Sequence, residues 1–503
     1  MNKDNYDIII GLEIHIQSKT KSKMFCSCPT HYFGKQPNTH VCPTCLGLPG
    51  ALPVPNKRAI ELCILLGIAT NCDIDSEIHF DRKHYFYPDL PKGYQISQYK
   101  RPICSDGYIE IKDEDGKKYG IGIERIHQEE DVAKSTHHTE GNLEYSLIDY
   151  NKSGVPLIEI VSKPNIRSAY QAKEYATKIR QIVRYLGISD ADMEKGQMRC
   201  EPNISVQTKG TWEYKNGEIL PIGDNKLNSK VEVKNIGSIS AVEKSIEYEV
   251  ERMIKDIEEG KKIVQQTRGW NADKGKTEFQ RSKETADDYR YMPDPDIPII
   301  EITDEDIERI TQEIIELPEE KKDRYLSTYS LSEYDSDVLT ADRDISKYFE
   351  DILEILSKDM DTIKAAKAAS NWITGAVFSI ANDKKIDINE SNIPKESLSY
   401  LILEFEKKIL TRNKAEELLR ESLEEKKDLK ELISKAIEES KQNTDNLDNI
   451  VDDVISNNPK AVSDFKSGKQ ATIGYLVGQV MQKTKGSADP NKARLVLIEK
   501  LNG

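Results

Sequence analysis

Apolar and polar residues follow two rhythms along the chain, and the change between them divides it. Up to about residue 295 the period is two. Short strand-like runs such as Ile8-Ile9-Ile10, Tyr108-Ile109-Glu110-Ile111, Leu157-Ile158-Glu159-Ile160-Val161 and Lys230-Val231-Glu232-Val233 are broken by Gly and Pro. Two helical stripes interrupt them. One starts at the N-cap Ser168, repeats apolar residues at Tyr175, Ile179, Ile182, Val183 and Leu186, and stops at Gly187. The other carries Val242, Ile246, Val250, Met253, Ile254 and Ile257 before Gly260. Strands with helices between them and many hairpin-like turns predict an α+β domain.

The segment Met292-Pro293-Asp294-Pro295-Asp296-Ile297-Pro298 sustains neither a helix nor a central strand. The first domain is therefore placed at 1–295. Beyond it Gly becomes scarce, and Glu, Lys, Leu and Ile recur at helical spacing. This predicts a helical domain over 296–408 and a small helical tail domain over 409–503.

At 503 residues the chain exceeds what one core supports, in keeping with several domains. A charged fraction of 32% and a mean hydropathy of −0.63 predict a soluble protein. No run of eighteen apolar residues exists, so no membrane span is expected. The N-terminus carries acids and runs straight into a strand, unlike a signal peptide, and a cytoplasmic location is the expectation. A net charge of −15 argues against indiscriminate nucleic-acid binding. In the last 44 residues, however, Lys460, Lys466, Lys469, Lys483, Lys485, Lys492, Arg494 and Lys500 face only Asp464, Asp489 and Glu499. That is either a local basic surface or an ordinary solvated face.

All eight histidines lie at or before His138, and seven of the eight cysteines at or before Cys104. Cys26-x-Cys28 and, after thirteen intervening residues, Cys42-Pro43-Thr44-Cys45 match a tetrahedral zinc site with four thiolate ligands. Such a site leaves no open position, so the metal would be structural. A redox Cys-x-x-Cys would leave Cys26 and Cys28 unexplained. Cys63, Cys72, Cys104 and Cys200 read as ordinary buried thiols.

In Gly11-Leu12-Glu13-Ile14-His15 alternation sets Glu13 and His15 on one face and Leu12 and Ile14 on the other. Similar acid-bearing stretches hold His127, Glu129, Glu130 and Asp131, then Glu159, then Glu232 with Lys234. Together they fit one wall of an acidic cleft able to hold Mg²⁺. The competing reading is a solvated sheet face. Cations and aromatics are dense in Asp81-Arg82-Lys83-His84-Tyr85-Phe86-Tyr87, Met198-Arg199-Cys200-Glu201, Thr267-Arg268-Gly269-Trp270, Arg281-Ser282-Lys283-Glu284 and Asp288-Tyr289-Arg290-Tyr291. Such stretches suit a nucleotide cradle, a stacked base or plain surface loops. The glycines of Gly269 and Gly275-Lys276-Thr277 are separated by five residues where a P-loop needs four. No Rossmann fingerprint, nucleophile elbow, N-terminal cysteine or Ser/Gly-rich amidase stretch is present, so the chain is not expected to hydrolyse glutamine itself.

Ile10-Gly-Leu-Glu-Ile-His15, Phe80-Asp-Arg-Lys-His-Tyr-Phe-Tyr-Pro-Asp89, Met198-Arg-Cys-Glu-Pro-Asn203 and Asp288-Tyr-Arg-Tyr-Met-Pro293 resemble the B subunits of glutamine-dependent aspartyl/glutamyl-tRNA amidotransferases. The resemblance continues through Gly474-Tyr-Leu-Val-Gly-Gln-Val-Met481 and Lys485-Gly-Ser-Ala-Asp-Pro490 and so spans essentially the whole chain. It implies a cradle-shaped domain like that of glutamine synthetase, followed by a helical domain and a tail. It also implies ATP-dependent phosphorylation of the side-chain carboxylate of Glu-tRNA(Gln) or Asp-tRNA(Asn). Ammonia, channelled from an amidase-type A subunit braced by a small C subunit, would then displace phosphate.

By motif position the resemblance implies Mg²⁺ ligands at Glu13, His15, Glu129 or Glu130, Glu159 and Glu232. It implies phosphate contacts at Lys83, Arg199 and Lys234. Tyr85, Tyr87, Tyr289 and Arg290 would shape the nucleotide or acceptor-end pocket, and the tail would grip the tRNA body. Lys152, Lys163, Asn165, Glu201, Gln266 and Met292 depart from the pattern, which has Arg, Glu, Asp, Asp, Glu and Phe there. Gln266 carries no charge and is given no metal role, and Lys152 cannot form Arg's two-pronged hydrogen bond. The rival readings are a non-catalytic zinc-containing tRNA-binding module and an independent ATP-dependent carboxylate–amine ligase.

Overall fold

A computed structural model of the chain describes residues 3–215, 217–282, 289–384, 393–445, 447–484, 488 and 490–502. Lys283, Glu284, Asp288, Lys485 and Asp489 lie outside them. The chain divides into two compact units, Met1–Leu317 and Pro318–Gly503.

The first unit is built on strands β1 (Tyr6–Gln17), β2 (Lys118–Glu130), β3 (Pro156–Ser162), β4 (Met198–Thr208), β5 (Val231–Lys234), β6 (Gln266–Asn271) and β7 (Lys276–Ser282). They pair in the order β7-β6-β5-β4-β1-β3-β2, and the short strands Cys104–Ser105 and Asp73–Ile74 continue the sheet beyond β2. Neighbouring strands are antiparallel except β5 and β6. That parallel pair needs a crossover, which is helix Ile239–Glu258.

Period-two alternation gives the sheet its two faces. Ile10, Leu12, Ile14 and Ile16 of β1 are fully buried, and Ile158, Ile160, Cys200 and Ile204 flank them on β3 and β4. Helices Ala169–Tyr185 and Ile239–Glu258 bring Tyr175, Ile179, Val183, Val242, Ile246 and Met253 into the same apolar cluster. Each such side chain contributes roughly 1.5–3 kcal/mol by burial. The first helix begins as the sequence predicts, with Ser168 capping the Gln171 amide; in the second, Ser238 caps the Ala241 amide. Both end at glycines of positive φ, Gly187 and Gly260, where an L side chain would be strained.

One ionic knot lies on the apolar side. Glu249 is fully buried; Arg252 Nη2 donates to its carboxylate at 2.8 Å, Arg268 Nε lies 3.1 Å away, and Thr277 Oγ1 donates to it as well. Glu249→Ala should destabilise the unit by about 3–5 kcal/mol, read by urea unfolding, because two guanidinium groups lose a buried counter-charge. An unchanged midpoint would show that they find other partners.

The second unit is helical throughout its described residues. One apolar cluster runs from Tyr325 to Ile437, and another from Leu447 to Leu501. The segment Asn371–Val377 is a π-helix, and the Arg412 guanidinium lies 4.3 Å from the ring centre of Trp372. Among the described residues no helix is long and apolar enough to cross a membrane.

Candidate active site

Antiparallel register brings distant acids side by side on the polar face of the sheet. His15 of β1 lies opposite Arg199 on β4 and Glu159 on β3, and Glu159 lies opposite His127 on β2. Two residues along β1, Glu13 faces Glu201 on β4, and one step further out Asn203 faces Glu232 on β5. The row resolves into two clusters, His15 with Glu129 and Glu159, and Glu13 with Glu201 and Glu232. Within each, one donor atom per residue lies within 4.8 Å of the others.

The first cluster is almost dry. His127 Nε2 lies 3.3 Å from Glu159 and 3.5 Å from Glu129, and His15 Nε2 lies 3.5 Å from Glu159. Burial alone would lower the His127 pKa, but the two carboxylates push it up to about 9. Burial would raise Glu159, yet His127 and His15 hold it well below the usual carboxylate range. A small hairpin, Asp81–His84 with Tyr94–Ser97, closes over this cluster. Ser97 Oγ donates to Glu129 at 2.6 Å and Gln95 Nε2 at 3.2 Å. Lys83 of the same hairpin keeps its charge against burial because Glu129 and Glu159 raise its pKa well above the usual range.

In the second cluster Lys234 Nζ donates to Glu201 at 2.6 Å and lies 3.8 Å from Glu232, while Asn203 Nδ2 donates to Glu13 at 3.0 Å. Burial opposes ionisation of Glu201, but Lys234 and His15 hold its pKa down to about 2. Arg199 reaches Asp131 at 3.4 Å, and Lys152 Nζ and Gln17 Nε2 each donate to the same carboxylate at 2.7 Å.

Beside Lys83 stands an aromatic group. Tyr85 lies 6.0 Å, centre to centre, from both Tyr87 and Tyr289, and Lys83 Nζ lies 5.2 Å from the Tyr289 ring. Arg290 sits over Phe86. Glu130 does not join the acids. Its side chain points through the other face of β2, where it pairs with Lys92 and accepts from the Ile96 amide at 3.0 Å.

Cys26, Cys28, Cys42 and Cys45 converge with their sulfurs within 4.8 Å of one another, a four-thiol donor set that fits zinc. A hydrogen bond from the Cys26 thiol holds the Cys45 thiol down to about 5 and pushes Cys26 up. The fully buried Lys23 lies 3.7 Å from Cys45 Sγ.

Residues 8–308 match the family model of the GatB/GatE catalytic domain, and residues 347–501 match the GatB domain. The chain belongs to the GatB family. Similar relatives include the B subunit of the aspartyl/glutamyl-tRNA(Asn/Gln) amidotransferase of Dehalococcoides mccartyi, 45% identical over 99% of both chains. Those of Thermoanaerobacter pseudethanolicus and Clostridium beijerinckii are each 43% identical over 99% of both chains.

In this GatB chain the sheet thus gathers Glu13, His15, Glu129, Glu159 and Glu232 with Lys83, Arg199 and Lys234 near them. From the sequence, Glu201 and Asp131 receive no role as ligand or phosphate contact. Both carry the signal that found Glu13: Glu201 alternates with Arg199, and Asp131 stands two residues beyond Glu129.

Proposed function

We propose that the chain is the activating subunit of a glutamine-dependent amidotransferase that converts Glu-tRNA(Gln) or Asp-tRNA(Asn) into Gln-tRNA(Gln) or Asn-tRNA(Asn). The name shared by the relatives supports the substrate class and a role within a larger complex. The observation that carries the reading is two carboxylate clusters on one sheet face, interleaved with half-buried Lys83, Arg199 and Lys234. A carboxylate is a poor electrophile and loses oxide poorly. Attack of its oxygen on the γ-phosphorus of ATP gives an acyl phosphate and ADP. Ammonia then attacks the carbonyl carbon, phosphate leaves with the bonding pair, and a proton is shed to give the amide.

The donor atoms suit hard cations: carboxylate oxygens with one imidazole. Glu13, Glu201 and Glu232 would hold one Mg²⁺, and His15, Glu129 and Glu159 another. When bound, these ions neutralise charge on the phosphates. Lys83, Arg199 and Lys234 orient the transferring phosphoryl group. Tyr85, Tyr87 and Tyr289, with Arg290 at their edge, shape the nucleotide or acceptor-end pocket. Glu130, on the opposite face, takes no part in this reading. The four cysteines hold a structural zinc, and ammonia comes from an amidase-type A subunit braced by a small C subunit. The reading includes a cradle like that of glutamine synthetase and a cytoplasmic setting. Its division of labour is catalysis within 1–295, a helical domain over 296–408 and a tRNA-gripping tail from 409. A non-catalytic zinc-containing tRNA-binding module would have no use for so many buried acids, which are costly unless compensated.

The deciding assay supplies Glu-tRNA(Gln) and Asp-tRNA(Asn) with ATP and free ammonia to the chain assembled with its partners. ADP and the amidated tRNA are expected; no ADP would end the reading. A tail truncation separates binding from chemistry. Leu410, Leu418, Leu429 and Ile433 belong to the apolar cluster that runs from Tyr325 to Ile437, so the cut belongs at 447 rather than 409. Removing 447–503 should raise the Kd for tRNA roughly tenfold, through lost phosphate contacts, with metal content unchanged. The effect is modest because Lys469, Lys483 and Lys500 already pair with Asp464, Asp453 and Asp452. Unaltered affinity would remove the tail from the tRNA interface.

A further inference from the structure

We propose that Thr267 is a positioning residue for the second acid cluster. Its hydroxyl sets which oxygen of Glu232 turns toward Glu201, and so how tightly the cluster holds a divalent cation. This rests on the reading above that Glu13, Glu201 and Glu232 bind such an ion. Glu232 is buried and stands directly beside Thr267 in the parallel pairing of β5 with β6. Thr267, only 1% exposed, donates its hydroxyl to Glu232 Oε2 at 2.7 Å. Glu232 Oε1 lies 3.8 Å from Lys234 Nζ, the ammonium that also donates to Glu201 at 2.6 Å. One oxygen is thus tied to the neighbouring strand, and the other is turned to the side where Glu201 lies.

Three features hold the hydroxyl in place. Threonine is branched at Cβ and has few side-chain rotamers on a strand. The pairing of β6 with β7 slips by one residue immediately after Thr267: Thr267 faces Arg281, but Arg268 faces Phe279. Such bulges re-aim side chains beside functional sites. Arg268, the next residue, is anchored on the opposite face of the sheet. Its Nε lies 3.1 Å from the buried Glu249 and donates to Thr277 Oγ1 at 2.8 Å, and its Nη2 donates to the Thr277 carbonyl at 3.0 Å. β6 is therefore pinned from behind one residue beyond Thr267, and the hydroxyl is not free to swing.

A buried carboxylate needs donors whatever its role, so the bond by itself is compatible with a purely structural part. The kind of donor argues for more. A hydroxyl brings one proton and no charge, so it steers the carboxylate without competing electrostatically with a cation, as Lys234 does. Outer partners of ligating groups commonly carry about 10–100-fold of metal affinity.

The test measures Mn²⁺ binding by calorimetry, without ATP or tRNA, to the full chain assembled with its partner subunits. Thr267→Val keeps the shape and removes the donor; it should weaken one class of Mn²⁺ site roughly tenfold. Thr267→Ser restores the hydroxyl and should return the affinity to within about twofold of wild type. The Mg²⁺ concentration giving half-maximal ADP formation should rise in step in Thr267→Val. In a Glu232→Gln background Thr267→Val should add little, because the two side chains act as one unit. Thr267→Ala asks the same question if the valine variant does not assemble. A lowered Tm with unaltered Mn²⁺ affinity makes the bond structural only and overturns the proposal, as does an equal loss in Thr267→Ser. A wild-type complex whose Mn²⁺ binding is untouched by Glu232→Gln would end the metal reading of this cluster, and this inference with it. Binding that is lost in Glu232→Gln but intact in Thr267→Val ends this inference alone.

Discussion

Glu159→Gln should lower the rate of ATP-dependent amidation by a factor on the order of 10²–10³, even when free ammonia replaces glutamine. The substitution keeps the shape of a side chain that lies between His15 and His127, so packing on β3 is preserved. What it removes is charge. Glu159 is the carboxylate both histidines lean on and one of three donors in its cluster. Without it the cluster has a single anion, Glu129, facing Lys83 and His127, and a divalent cation is repelled rather than held. ADP formation should therefore fall together with amide formation, because the loss is in activation and not in ammonia delivery. Glutaminase activity of the assembled complex and tRNA affinity should stay near wild type. Normal ADP release by a folded Glu159→Gln complex would remove this cluster from the chemistry.

Alternation by itself makes the polar face legible: Glu13 and His15 do share a side of β1, with Ile14 and Ile16 packed beneath. What period two cannot express is which strand lies next to which. Glu13 and His15, two residues apart, end in different clusters because their neighbours on β3 and β4 differ. The choice between Glu129 and Glu130 is open in the sequence for the same reason. Two consecutive acids present one to each face, and only pairing of Leu157 with Glu129 and of Pro156 with Glu130 decides the parity. Lys83 and Gln95 are readable as dense polar sequence, but their placement over Glu129 depends on a hairpin whose strands are four residues each. The helical character of the second unit is plain from spacing alone. Its two apolar clusters are not, since both are written in the same Leu, Ile and Ala alphabet.

Cys45→Ser should cost the chain its zinc and roughly 3 kcal/mol or more of stability. Between Gln17 and Lys57 no helix or strand forms apart from an isolated bridge of Ser22 with Pro29. A stretch that long without regular structure needs something else to order it. Hydrogen bonds do part of this, among them the Met24 amide to the Gly154 carbonyl at 2.7 Å, the His40 amide to Asn151 at 2.7 Å, the Asn38 amide to Asp149 at 3.0 Å, and Lys23 Nζ to the His40 and Tyr150 carbonyls at 2.8 and 3.2 Å. Cys45 is the buried member of the thiol set, and Lys23 beside it supplies positive charge that four thiolates around a divalent ion require. The loop in turn contacts the turn carrying Lys152, which grips Asp131 and so helps position Arg199. Metal loss should accordingly reach the active site: kcat should fall severalfold while the KM for ATP changes little. Elemental analysis, Tm and kinetics on the same preparation test all three. Full zinc content with a wild-type Tm in Cys45→Ser would show that the cysteines do not bind metal as a set.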